Sequence, residues 1–306
     1  MTNHDVYAYG VVSSSTLYGI LGGFPAPEGY AEVNFVRRMT GGEAANSSIV
    51  LSRLGATVKL DGSWLGADEN GKRTKALLSE YSIDTERLPL RDGINTVEEV
   101  VFAAQDTRTI FGTYGRLLEN KAWNRPTEVD IVKSRIVCLD PFFAEPAARV
   151  AEIAFGAGIP VVTIDCRYDD PLLQHTSAIV IAESFIREHY GESDLNELFA
   201  RYRAATGGLV IFSFGARPIW YARPDDCVRQ FAPFPIEPAD TAGGGDSFRA
   251  GIVYGLLKGW DDEKMIQFAA AVAAINCTRF PGVLNSPASD EVLDFIAAYG
   301  RPGFSV

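Results

Sequence analysis

The sequence predicts a doubly wound α/β fold built on a mostly parallel sheet, and two patterns predict it. Short apolar runs alternate with amphipathic helical stretches along most of the 306 residues, the order that places helices on both faces of a sheet. The runs from residue 135 onward are continuous rather than alternating in polarity, as in strands covered on both faces. Composition agrees: 47% of residues are hydrophobic and 22% charged, the balance of an ordinary globular chain with material for a sizeable core.

In chain order, strands are predicted at 6–12, 58–65, 97–103, 108–114, 135–140, 160–166, 178–181 and 209–214, where β-branched, aromatic and other apolar residues cluster. Helices are predicted at 43–54, 71–81, 145–155, 194–205, 246–257, 263–278 and 290–299. The first carries Ile49, Val50, Leu51 and Leu54 on its apolar side, with Gly55 just past its end, a residue suited to the left-handed C′ position. The helix at 246–257 repeats Phe248, Ile252 and Leu256 at a spacing of four and stops at Lys258 and Gly259. Residues 14–38 and 95–115 show strand-like alternation with few helical signals. They predict a small sheet beside the main one, placed to act as a lid. No Pro- or Ser-rich linker, internal repeat or low-complexity tract interrupts the chain, so residues 1–306 read as a single α/β unit.

With 28 basic against 39 acidic residues the net charge is -11, which argues against a nucleic-acid partner. Four cysteines are widely spaced without a C-x-x-C pair, as expected of free thiols in a reducing compartment. The first residues do not read as a signal or transit peptide. No apolar run reaches the roughly 20 residues that span a bilayer. The expectation is a cytoplasmic protein with no membrane partner. His4, His175 and His189 show no metal-ligand spacing.

Three glycine-rich stretches bear on function. Residues 66–73, G-A-D-E-N-G-K-R, nearly match a phosphate loop, but Arg73 stands where a Ser or Thr hydroxyl is needed; a turn leading into the helix at 71–81 is the better reading. Gly41 and Gly42 precede the first helix, with Asn46 one turn in and facing the same end, an arrangement suited either to a tight turn or to close backbone approach to a polar ligand. The third stretch, P-A-D-T-A-G-G-G-D-S-F-R-A-G, spans residues 238–251. Gly costs a helix about 1 kcal/mol relative to Ala, so three in a row at a helix start call for a reason. Gly243, Gly244 and Gly245 leave N–H groups bare at a helix N-terminus, which is an anion site. Asp246 follows at once. A carboxylate repels phosphate, so it fits simple binding badly. It fits a base that deprotonates a hydroxyl as that hydroxyl attacks a phosphoryl group.

The two motifs G-G-E-A-A-N-S-S-I-V-L-S-R-L-G and D-T-A-G-G-G-D-S-F-R-A-G, in this order and far apart, resemble those of the ribokinase-like (PfkB) carbohydrate kinases. The stretch G-S-W-L-G-A-D-E-N-G and the run at 270–280 are similar as well, so the resemblance covers nearly the whole chain. It implies a three-layer α/β/α domain with a small β-sheet lid and transfer of the γ-phosphoryl of ATP to a hydroxymethyl group, with Mg²⁺ required. It implies Asp246 as general base and Gly243, Gly244 and Gly245 as the anion hole. It places Gly41, Gly42, Asn46, Ser15 and Arg108 at the substrate, and Ser213 and Gly215 at the nucleotide.

The chain departs from the family pattern at several points. Ser15 stands where an Asp usually grips two sugar hydroxyls. The metal-organising N-x-x-E is reduced to Glu183, acting through water. Ser213 replaces a Thr, and Gly244 replaces an Ala. Pro281 and Gly282 stand where a small pair often shapes a monovalent-cation (K⁺) loop. The leading expectation is a kinase of a small polyhydroxylated substrate: a sugar, sugar acid, sugar phosphate or nucleoside. The alternative is a non-catalytic sugar or nucleotide sensor on the same fold. An NAD-dependent oxidoreductase is disfavoured, because no complete dinucleotide fingerprint follows an early strand. The apolar lid strands suggest a homodimer.

Overall fold

The computed structural model describes residues 4–104 and 107–299; residues 105 and 106 of the predicted second lid segment lie outside them. The elements run β1 (His4–Gly10), β2 (Ser13–Ile20), β3 (Val33–Gly41), α1 (Glu43–Arg53), β4 (Val58–Gly62), β5 (Leu65–Gly66), α2 (Glu69–Glu80), β6 (Leu90–Arg91), β7 (Glu98–Ala104) and β8 (Thr107–Gly112). They continue with α3 (Tyr114–Glu119), α4 (Glu128–Val132), β9 (Ser134–Leu139), α5 (Glu145–Gly156), β10 (Val161–Ile164), β11 (Ala178–Ala182), α6 (Glu183–Tyr190), α7 (Leu195–Ala205) and β12 (Leu209–Phe214). Last come β13 (Arg217–Ala222), β14 (Arg229–Phe231), α8 (Gly244–Leu257), α9 (Asp262–Cys277) and α10 (Ser289–Ala298).

The main sheet has the order β14-β13-β12-β11-β10-β9-β1-β4. It is parallel from β12 to β4, with β13 and β14 added antiparallel at one edge. Alternate residues of each strand feed two cores. Val6, Ala8, Ile136, Cys138, Val162 and Ile211 pack with α1, α8, α9 and α10. Tyr7, Tyr9, Val137, Leu139, Ile179 and Phe212 pack with α5, α6 and α7. Both faces of the sheet are therefore covered, which is why its strands read as unbroken apolar runs.

The chain order fixes where a ligand site belongs. From β1 the connections go to β4 on one side and later to β9 on the other, so a crevice opens between the carboxyl ends of β1 and β9. Open α/β sheets bind ligands at such a switch point. Asp140, just past β9, spans it by accepting the Val11 N–H at 2.8 Å.

A separate four-stranded sheet has the order β3-β2-β7-β8. Its β2 and β7 run parallel, with Ser15 opposite Glu99. Leu17, Met39 and Val101 on one face pack with Leu284 of the main body, and Phe35 meets Phe280 edge-on at 4.9 Å. The opposite face carries Tyr18 stacked on Phe102 at 5.3 Å and Phe111 against Phe102 at 6.0 Å.

The near-match to a phosphate loop is a helix start. Asp68 caps α2 by accepting the Gly71 N–H at 2.7 Å, and Arg73 donates to Asn70 on its own helix.

Candidate active site

The site begins at α8. Gly243 is its N-cap, in the left-handed region at φ 71°, where side chains with a Cβ are strained. A Cβ there would also lie 2.3 Å from Val283 Cγ2. The first i→i−4 bond of the helix runs from the Ser247 N–H to the Gly243 carbonyl at 2.8 Å. The N–H groups of Gly245 and Asp246 precede it and point out of the helix end. The helix end at Gly243, Gly244 and Gly245, the predicted anion site, presents backbone without side chains.

Asp246 sits in the first turn and is only 8% exposed. Its Oδ2 accepts a 2.8 Å hydrogen bond from Asn46 Nδ2 of α1. That bond joins the two predicted motifs across 200 residues of sequence. Burial pushes the Asp246 carboxyl up to about 6, with Asp140 and Glu99 adding to the rise and Arg249 and the Asn46 bond opposing it. A carboxylate near pH 6 is ionised at neutral pH yet retains a stronger proton affinity than a free Asp, as a general base requires.

Arg249, one turn further along α8, is fully buried. Its guanidinium donates to Ser47 Oγ at 2.7 Å, the Glu43 carbonyl at 2.7 Å and the Leu139 carbonyl at 3.2 Å. It also lies 3.8 Å from Asp246 Oδ1. It staples α8 to α1 and β9 and supplies the buried positive charge that holds the surrounding acids. No sequence motif had singled out Arg249. The signal it offered was a cation one turn past Asp246 in an otherwise apolar helix.

Other acids gather there from separate elements. Asp140 accepts from Val11 N–H and from Phe142 N–H at 3.0 Å; burial raises its carboxyl, and Arg249 opposes the rise. Asp165, past β10, accepts the Ala182 N–H at 2.8 Å, and burial pushes it up to about 6. Glu43, Asp140, Asp165, Phe142, Ser184 and Glu188 border a cavity of about 400 Å³ on this side of the sheet.

The remaining predicted residues divide between this centre and its surroundings. Gly42 enters α1 at φ 87°, and a Cβ there would come 2.4 Å from the Val11 carbonyl oxygen. Gly41 precedes it at the end of β3. Ser15 is buried in β2 between Met39 and Glu99. Arg108 lies on β8 opposite Ala103. Burial and Asp240 push the Cys277 thiol up to about 11, and Arg108 acts on it in the opposite sense. Cys277 Sγ in turn lies 3.2 Å from where a Gly244 Cβ would stand. Ser213 lies near the end of β12 opposite Ala182, and Gly215 makes the β12–β13 turn at φ 64°. Both lie along the same carboxyl edge of the sheet as Asp165. Glu183 opens α6, but its carboxylate pairs with Arg217 at 2.6 Å. The loop at Pro281 and Gly282 is tied down by Asp240, whose Oδ2 accepts the Gly282 N–H at 3.0 Å.

Among the described residues no three His, Cys, Asp or Glu side chains converge as a metal site. The donor set fits a hard cation carried in on phosphates, with pocket carboxylates meeting its water shell. Thr40 Oγ1 and Asn46 Oδ1 are buried without a hydrogen-bond partner. Such atoms are uncommon in native proteins unless a ligand or water meets them.

Residues 4–288 match the model of the pfkB family carbohydrate kinases. The chain belongs to this family. Its members are phosphotransferases whose acceptor is an alcohol group. A nucleoside kinase of Methanothermobacter thermautotrophicus is 29% identical over 291 residues, covering 90% of this chain and 91% of the relative. A ribokinase of Haemophilus influenzae is 26% identical, covering 84% and 87%. The pfkB fold is equally clear in solved structures. Arabidopsis thaliana ribokinase, complexed with ribose and ATP, superposes with a TM-score of 0.81 at 19% identity, covering 97% of this chain and 99% of that one. Methanocaldococcus jannaschii nucleoside kinase gives 0.78 at 20% identity, covering 96% and 98%.

Proposed function

We propose that this pfkB kinase transfers the γ-phosphoryl group of ATP to a hydroxymethyl group of a small sugar or sugar-like acceptor, nucleosides included. The observation that carries the reading is the buried Asp246 carboxylate, held by Asn46 at the mouth of a glycine-only helix end. Asp246 takes the proton of the acceptor hydroxyl. That oxygen forms a bond to the γ-phosphorus as the bond to the β,γ-bridging oxygen breaks, and ADP leaves with the bond's electron pair. Charge on the transferring group meets the N–H groups at the start of α8 and the helix dipole. Gly41, Gly42, Asn46 and Ser15 face the acceptor. Arg108 closes over it from the small sheet, which acts as a lid. Ser213 and Gly215 lie along the nucleotide.

Mg²⁺ supplies charge neutralisation on the phosphates. Glu43, Asp165 and Glu188 would hold it through water; Glu183, engaged by Arg217, is less well placed for that role. The same ion pair favours the second reading, a sensor that binds sugar or nucleotide without chemistry. Names of relatives support the first: nucleoside kinase, ribokinase and ATP-dependent ribose-1-phosphate kinase.

The test is ADP release from ATP·Mg²⁺ with a panel of sugars, sugar acids, sugar phosphates and nucleosides, run beside Asp246→Asn. Acceptor-dependent release that the variant loses supports the kinase. ATP binding with no release across the panel favours the sensor.

A further inference from the structure

A carboxylate from the small sheet reaches the site, and no motif in the sequence points to it. Along β7, Val101 faces inward to Leu17, Met39 and Leu284. Glu99, two residues earlier, lies on the same face. Its Oε2 comes within 2.2 Å of where a Cβ on Gly41 would stand, and Ser13 Oγ within 2.5 Å of the same point. The carboxylate and the hydroxyl thus flank the Gly41 backbone, directly before the helix that carries Asn46. Tyr114 Oη donates to Glu99 Oε1, which orients the carboxylate with Oε2 against Gly41. Glu99 is near enough for its charge to act on Asp246. Ser13 Oγ is fully buried and lies close to the Tyr114 hydroxyl, and Asn46 Oδ1 is unpartnered. Three acceptor-capable oxygens from β7, β2 and α1 therefore lie around Gly41 and Asn46, beside the Asp246 carboxylate.

We propose that Glu99 selects the acceptor: its Oε2 accepts a hydrogen bond from one substrate hydroxyl while Ser13 Oγ meets the adjacent one. This rests on the kinase reading and deepens it. Ser15, the position to which the family resemblance gives this task, is a hydroxyl whose cross-strand neighbour is Glu99. In this chain the charged grip comes from the next strand. A carboxylate in that place favours the uncharged end of a polyol bearing vicinal hydroxyls. It repels a phosphate or carboxylate group there.

The experiment measures ATP·Mg²⁺-dependent phosphorylation of D-ribose and adenosine, and of their 2-deoxy and 3-deoxy counterparts, by wild type, Glu99→Gln and Tyr114→Phe. Wild type should discriminate against at least one deoxy analogue by about 10- to 100-fold in kcat/KM, as for a hydrogen bond to a charged group. Glu99→Gln should raise the acceptor KM by a similar factor, leave the KM for ATP unchanged and erase most of the discrimination. That collapse is the readout a purely structural role would not give. Should Glu99→Gln fail to fold, Tyr114→Phe, which frees the carboxylate without removing it, should still weaken discrimination several-fold. An unchanged acceptor KM in Glu99→Gln, or a raised KM with wild-type discrimination, overturns the role of Glu99 and leaves the kinase standing. No phosphorylation of any of these acceptors by wild type overturns this acceptor class. If the wider panel is silent too, the kinase reading falls with it.

Discussion

As the proposed base, Asp246 must be ionised to take a proton, and the fold resists its ionisation. Its carboxyl sits at about 6 rather than at 3.8 because it is buried. Turnover should therefore rise about tenfold per pH unit below 6 and level off above it, read as kcat/KM from pH 4.5 to 8. Asp246→Asn should lose roughly 10²- to 10⁴-fold in turnover. The same raised pKa fixes the sign of a stability effect. The folded carboxyl holds its proton more tightly than the unfolded one. Its contribution is full below about pH 4 and is lost as pH rises through 6. Asp246→Asn should thus melt no lower than wild type at pH 8, with any gain shrinking toward pH 4. A melting point several degrees lower at pH 8 would contradict this account. Arg249 works in the other direction, lowering its acidic neighbours. Arg249→Met should move the acid limb of the profile to higher pH, while Arg249→Lys should leave it nearly in place. Losing one member of a buried charge cluster costs about 3–5 kcal/mol, so urea unfolding of Arg249→Met should show a marked loss. Asp246 was legible because its glycines adjoin it in sequence. Asp140, Asp165 and Glu99 were not, because they come from the ends of β9 and β10 and from β7 and meet it only in the folded chain; Arg249 sits one turn away on the same helix, but its burial against α1 and β9 is not written in local sequence.

At the scale of elements, the start of α8 separates shape from chemistry. At Gly243 the positive φ and the 2.3 Å approach to Val283 both exclude a Cβ. Gly243→Ala should destabilise the fold and abolish turnover together. At Gly245 the nearest atom to a built Cβ is Ile164 Cδ1 at 4.0 Å. Gly245→Ala gains helix propensity of about 1 kcal/mol, so it should melt at or above the wild-type temperature. The new methyl stands beside N–H groups that meet phosphate in the proposed reaction, so kcat/KM for ATP should fall at least tenfold. If Gly245→Ala lost stability and activity in parallel, the glycines would be structural only. Most elements were readable because each carries a full period of apolar residues: α1, α2, α5, α7, α8, α9 and α10 fall on predicted helices, and β12 on its predicted limits. The missed elements had weaker signals. The β13–β14 hairpin is short and interrupted by Pro218 and charged residues. The short helix α6 follows β11 with no turn residue between them.

The order of strands is a property of the whole molecule, and local pattern does not encode it. Nothing in residues 4–10 announces that β1 will have β4 on one side and β9 on the other, although this placement opens the crevice at Asp140. The small sheet shows the same limit: alternation revealed its strands but not which face would be covered. Its inner face is occupied by the main body. Its outer face presents Val36, Tyr18 and Phe102 in one cross-strand row, with Val100 and Phe111 in the next. Phe111 is 54% exposed and Val36 43%. Thr16 and Arg38 complete the second row, and a largely apolar face of this kind would suit an interaction surface. A second copy presenting the same face would cover it symmetrically. Wild type should therefore sediment as a dimer at micromolar concentration. Phe111→Lys with Val36→Lys, on strands β8 and β3, should give a monomer with unchanged far-UV circular dichroism. A monomeric wild type would remove the dimer without touching the site. If dimerisation also holds the small sheet over the crevice, the monomeric variant should keep its affinity for ATP and show a raised KM for the acceptor alone, because Glu99 and Arg108 ride on that sheet while the glycine turn of α8 does not.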